Sequence, residues 1–155
     1  MMRYCLEKWD KNRDKLEENI RLDKTLNDCA YIDLVKKVVD IVLNDGDGYD
    51  EYRWSSGDIT EIDNGDYQGT LLFLIPTTAC QPSEADYLMT YVGYGSCSCC
   101  DTLQGIKEYG ENLPTEQQVK DFMELCKGIL CNMVKPYNHG WRNDDVFEHV
   151  TVDQA

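Results

Sequence analysis

The chain has 155 residues, 42% of them hydrophobic and 28% charged, the proportions of a folded domain with its own core rather than of a disordered tail. Fifteen basic residues stand against twenty-nine acidic ones, a net charge of −14, and a field of that sign repels nucleic-acid phosphates and anionic lipid. No apolar run approaches the ~20 residues needed to span a bilayer, and no G-x-x-x-x-G-K-[ST] phosphate loop is present.

The start, Met1-Met2-Arg3-Tyr4-Cys5-Leu6-Glu7-Lys8, turns charged at once and has no apolar h-region, which predicts a cytosolic location. Glutathione keeps thiols reduced there, so the eight cysteines read as free thiols or metal ligands rather than as a disulfide framework. Residues 3–22 are predicted helical, with Leu6, Trp9, Leu16 and Ile20 as apolar anchors and Glu7/Lys11 as an i,i+4 pair. Tyr31, Leu34, Val35, Val38 and Val42 then fall at helical spacing. Asn27 or Asp28 is the expected cap of this second helix, and Asn44-Asp45-Gly46 its end.

From residue 45 the texture changes to glycine, aspartate and aromatics. Asp45-Gly46-Asp47-Gly48 reads as a turn, Ile59–Ile62 as a short strand, and Asn64-Gly65 as a hairpin turn into a second strand, Tyr67–Ile75, stopped by Pro76. A loop containing Pro82 leads to a third strand, Tyr87–Val92. Leu88, Thr90 and Val92 share one of its faces; Tyr87, Met89 and Tyr91 share the other. The last long helix is capped by Thr115, with Gln118 completing a capping box. Val119, Phe122, Met123, Cys126, Ile129, Leu130 and Met133 form its apolar stripe, Cys126 as a small core residue, and Pro136 is expected to stop it. The tail, with Tyr137, His139, Trp141 and Phe147, is aromatic enough to be expected to pack. This order predicts one α+β domain over residues 1–155. Its small antiparallel sheet has three or four strands, with two N-terminal helices and one long C-terminal helix packed on it.

Charge is unevenly spread. Residues 1–37 carry nine basic and eight acidic groups, whereas residues 38–106 carry twelve acids against Arg53 alone, a net −11. Such a segment attracts a basic protein surface; a solvated, solubilising face is the competing reading. Asp45, Asp47, Asp50 and Glu51 are the candidate binding acids, because a glycine-rich loop can present them. A calcium loop starting at Asp45 fails, since Asp50 takes the sixth position, where glycine is needed, and Ser56 the twelfth, where glutamate is needed.

The densest chemistry lies at Tyr94-Gly95-Ser96-Cys97-Ser98-Cys99-Cys100-Asp101-Thr102-Leu103, between the third strand and a short helix starting near Thr102. Gly95, Ser96, Cys97, Cys100 and Asp101 are its candidate special residues. Asp101 is the expected N-cap, accepting from an amide near Gln104, and Gly93 and Gly95 free the backbone to turn. Cys97-x-x-Cys100 has the spacing of half a zinc site, but the other half is missing from the sequence pattern. Cys126 and Cys131 diverge on their helix, and His139 and His149 are not closely paired. A strand, C-x-x-C and a helix also suit a redox dithiol, although Asp101 and the acidic surroundings are expected to oppose a thiolate. Glycines and small hydroxyls surround the cysteines, so no bulky side chain hides the sulfurs; burial of Cys97 and Cys100 as small hydrophobes is the structural alternative. Ser96 does not fit G-x-S-x-G in register.

At Asp66-Tyr67-Gln68-Gly69-Thr70, and at Tyr91-Val92-Gly93-Tyr94-Gly95-Ser96-Cys97-Ser98-x-Cys100-Asp101-Thr102-Leu103, the chain resembles a group of small acidic proteins encoded by phages and prophages of gut-type Firmicutes. The resemblance runs through most of the chain, including Lys135-Pro136-Tyr137. It implies a phage accessory protein acting on a host macromolecule, and supplies context rather than mechanism. Cys99 stands at the x position, so Cys97 and Cys100 are the motif's pair. The expected function is a non-enzymatic, anti-CRISPR-like inhibitor of a host nucleic-acid-handling or defence protein, docking on that protein's basic surface without cofactor, nucleic acid or membrane. The alternative is a thiol-rich zinc-binding or redox protein using Cys97 and Cys100.

Overall fold

A computed structural model describes residues 2–44, 53–66, 68–78, 86–97, 99–108 and 112–135. Asp45, Asp47, Asp50, Glu51, the Pro82 loop, the expected helix stop at Pro136 and the aromatic tail lie outside the described residues.

Helix α1, Met2–Arg21, turns one face inward through Cys5, Trp9, Asn12, Leu16 and Ile20. These positions follow the alternating three- and four-residue steps that keep side chains on one side of a helix. Leu6, expected as an anchor, is turned about 100° from Cys5 and is 38% exposed; Cys5 fills the buried place instead. The second helix begins at Tyr31, not at Asn27 or Asp28, which form a separate 3₁₀ turn, Leu26–Asp28. Its cap is Ala30, whose amide donates to the Asp33 carboxylate at 2.8 Å. An acid one turn in thus satisfies a helix-end donor without a polar cap side chain.

Helix α2, Tyr31–Lys37, continues as a π-helical segment, Val38–Leu43, closed by Asn44 N–H donating to the Val39 carbonyl at 2.9 Å. The wider turn brings Val38, Val39, Val42 and Leu43 all into the core, where an α-helical reading selects only Val38 and Val42. Asn12 holds the end of this segment. Its Nδ2 reaches across from α1 and donates to the Val42 carbonyl at 3.0 Å, fully buried. Asn12→Ala is expected to leave that carbonyl unpartnered and cost about 1–2 kcal/mol, read as a lower denaturation midpoint at unchanged m-value. A midpoint equal to wild type would refute the contact's role. Asn44 then anchors the next segment, donating to the Trp54 carbonyl at 2.7 Å and accepting from its amide at 2.9 Å.

The sheet has three antiparallel strands in the order β1-β2-β3: Thr60–Asp63, Gly69–Pro76 and Tyr87–Tyr94. Between β1 and β2 the Asn64 side chain takes the part of backbone, accepting from Thr70 N–H at 2.7 Å. Gly65 is needed there, because a Cβ on it would stand 2.1 Å from the Gln68 carbonyl oxygen. Leu88, Thr90 and Val92 are the buried members of β3, as its alternation predicts, and they lie opposite Ile75, Phe73 and Leu71 of β2. That face receives the helices. Thr90 Oγ1 donates to the Ile129 carbonyl at 2.7 Å, fixing β3 against helix α4, Glu116–Cys131.

Helix α4 has the capping box its sequence announces. Thr115 Oγ1 accepts from Gln118 N–H at 3.1 Å, and Gln118 Oε1 accepts from Thr115 N–H at 3.0 Å. The helix ends at Cys131, ahead of Pro136: Asn132 donates to the Tyr91 carbonyl at 3.1 Å, and Val134 pairs with Met89 at the edge of β3. Docking on the sheet therefore ends the helix. Val119, Phe122, Cys126, Ile129, Leu130 and Met133 are buried, with Met123 at the margin. No helix among the described residues is long and apolar enough to cross a membrane.

Candidate functional site

The turn after β3 is built around one buried carboxylate. Asp101, 5% exposed, caps the short helix α3, Thr102–Ile106, by accepting from Gln104 N–H at 3.0 Å, as its position in the sequence predicts. The same Oδ1 accepts from the Tyr31 hydroxyl at 2.9 Å, and Oδ2 accepts from Gly95 N–H at 3.0 Å. Tyr31 completes the circuit by accepting from Leu103 N–H at 3.1 Å. Burial, and then the Asp101 carboxylate, push the Tyr31 hydroxyl's pKa up to about 12, so it stays protonated and donating. Gln104 Nε2 closes the other side by donating to the Gly95 carbonyl at 3.3 Å.

Around this anchor the chain makes a helix-like turn. The amides of Cys100 and Asp101 both donate to the Cys97 carbonyl, at 3.1 and 2.9 Å. Gly95 lies so close beneath Cys100 that a Cβ there would stand 2.5 Å from the Cys100 carbonyl oxygen. Cys97 and Cys100 consequently face the same way, their sulfurs 3.0 Å apart. Cys97 N–H also donates to the Cys100 sulfur at 3.3 Å, and Ser96 Oγ lies 3.8 Å from it.

Cys97, Cys99 and Cys100 are exposed, against the alternative that Cys97 and Cys100 are buried small hydrophobes. One expectation is corrected here. The Cys100 thiol is held below its ordinary range by hydrogen bonding from the Cys97 thiol, the Cys97 amide and Ser96, although acidic surroundings were reason to expect the reverse. The Asp101 carboxylate meanwhile accepts from three donors of its own, the Tyr31 hydroxyl and the amides of Gly95 and Gln104. Three buried thiols contrast with this: burial pushes Cys5 and Cys126 up to about 12 and Cys29 up to about 11.

A zinc site needs four ligands where Cys97 and Cys100 are two, and among the described residues no group of three or more His, Cys, Asp or Glu is placed to hold a metal. His139 and His149 lie outside the described residues. Tyr31 is the functional-turn residue that sequence reasoning counted only as apolar. The available signal was its hydroxyl, which a buried tyrosine needs to satisfy.

A second surface carries the charge. Asp58, Glu61, Asp63 and Asp66 are exposed on or beside β1, an outer strand of the sheet. Neutral donors order two of them: Ser55 Oγ donates to Asp58 at 2.6 Å, and Asp63 accepts from the Tyr94 hydroxyl at 2.6 Å and from Gly65 N–H at 3.0 Å. The tyrosine contact holds the Asp63 carboxyl below the usual range, and Asp63 in turn pushes Tyr94 up to about 12. Meanwhile Arg21 is shared among Glu17, Glu18 and Glu116, and Lys37 pairs with Asp23 at 2.7 Å. These basic side chains are engaged with acids outside that group. Comparison with protein-family models, curated proteins and solved structures finds no match for this chain.

Proposed function

We propose that the chain is a non-enzymatic acidic binding protein, phage-encoded, that inhibits a host nucleic-acid-handling or defence protein by presenting carboxylates where phosphates would sit. The observation that carries this reading is the segregation of charge. Twelve acids against one arginine fall in residues 38–106, and within that segment Asp58 and Asp63 are exposed and ordered by neutral donors. Carboxylates ordered by neutral groups present an undiminished negative field, which speeds encounter with a basic surface and opposes acidic ones. Asp45, Asp47, Asp50 and Glu51 extend the acidic segment in sequence.

The test is capture of a basic nucleic-acid-handling protein from host lysate on the immobilised full chain. Binding is expected to weaken steeply as the screening length shrinks from about 10 Å at 0.1 M to about 3 Å at 1 M salt. A variant carrying Asp58→Asn, Glu61→Gln, Asp63→Asn and Asp66→Asn is expected to bind on the order of tenfold more weakly while melting normally. Capture that ignores both salt and these substitutions would refute charge mimicry.

A further inference from the structure

Acidic docking leaves the thiol turn without a task. We propose that Cys97 and Cys100 form a redox-active dithiol that closes to a disulfide within the turn by exchange with a low-molecular-weight or protein disulfide. Geometry carries the proposal. The two sulfurs stand 3.0 Å apart and exposed, about 1 Å beyond bonding distance. The amides of Cys100 and Asp101 both donate to the Cys97 carbonyl. The Cys97 amide donating to the Cys100 sulfur makes Cys100 the attacking one.

The exchange runs in two steps. Cys100 thiolate attacks one sulfur of the disulfide R–S–S–R, forming Cys100–S–S–R and releasing one thiolate, which takes a proton. Cys97 then gives up its proton and attacks the Cys100 sulfur, forming the Cys97–Cys100 bond and releasing the second R–S⁻, which is protonated in turn. The dithiol loses two electrons and two protons, and R–S–S–R becomes two R–SH. Cys97 N–H, now 3.3 Å from the Cys100 sulfur, is placed to stabilise the thiolate that begins the reaction. Cys5 and Cys126 are buried and held protonated, so neither competes. Cys99 is exposed and adjacent, so it is the internal control.

The full-length protein is equilibrated with glutathione and glutathione disulfide at graded ratios, with a chelator present, then acid-quenched, alkylated and mapped by peptide mass spectrometry. The expected result is a Cys97–Cys100 disulfide whose occupancy follows the ratio and reverses with dithiothreitol. Cys97→Ser is expected to leave Cys100 as a persistent mixed disulfide with glutathione. Cys100→Ser is expected to slow the reaction of Cys97 by about tenfold, and iodoacetamide should modify Cys100 in wild type with a midpoint below the ordinary thiol value. Bridges through Cys99, or both thiols still free in oxidised buffer, would overturn the proposal. Should either serine variant fail to fold, the wild-type map decides by itself.

Discussion

Asp101→Ala is expected to lower the unfolding free energy by about 3 kcal/mol, well beyond the ~1 kcal/mol of an ordinary helix cap. Three donors lose their acceptor together: the Tyr31 hydroxyl, Gly95 N–H and Gln104 N–H. The first two of these contacts are buried, so water does not readily replace the carboxylate. At about 2–4 °C per kcal/mol for a chain of this size, the melting temperature should fall by about 6–12 °C. Asp101→Asn keeps an oxygen for one side of the circuit but cannot accept on both, and should fall between wild type and alanine. Calorimetry on the three proteins checks this. A loss confined to ~1 kcal/mol would mean that Asp101 is a cap and nothing more.

Gly95→Ala should be of similar size, about 3 kcal/mol, for a different reason. The new methyl would meet the Cys100 carbonyl oxygen at 2.5 Å, its carbonyl carbon at 2.6 Å and its sulfur at 2.8 Å. Two of those atoms are backbone, so a rotamer change does not relieve the clash. The turn has to open, and the Gly95 amide then leaves Asp101. Because both substitutions break one network, their costs should not add; a double-mutant cycle should show a coupling of about 1 kcal/mol or more. Opening should also scatter the donors on Cys100, so that its alkylation midpoint rises toward the ordinary thiol value. A Gly95→Ala protein that melts like wild type would show that the close approach is easily relieved.

The elements that could be read from sequence are those whose signals are local. Thr115 and Gln118 lie three residues apart, and β3 alternates strictly from Leu88 to Val92, so helix start and buried face follow from neighbours alone. Asp101 as cap is local in the same way. What could not be read was set by distant partners. Asn12 sits among apolar positions with no local reason to be there, and its role exists only because Val42, thirty residues on, arrives beside it. The π-helical segment and the end of α4 are likewise fixed by what they dock against. The donation from the Cys97 amide to the Cys100 sulfur depends on how the turn closes over Gly95, and the spacing of the cysteines in sequence carries no such information.

The contact between Tyr31 and Asp101 joins residues seventy positions apart, and this has a consequence for how the thiol turn comes into being. Closing so long a loop costs chain entropy that the residues near the turn cannot repay among themselves. The hydroxyl arrives at Asp101 only when α2 is already seated in the core beside β3 and α4. Contacts of high sequence separation form slowly and depend on topology as a whole. The paired sulfurs therefore depend on the folded domain, and a short peptide copying Tyr94–Leu103 would lack the anchor that holds them together. The turn's chemistry belongs to the folded domain rather than to its motif.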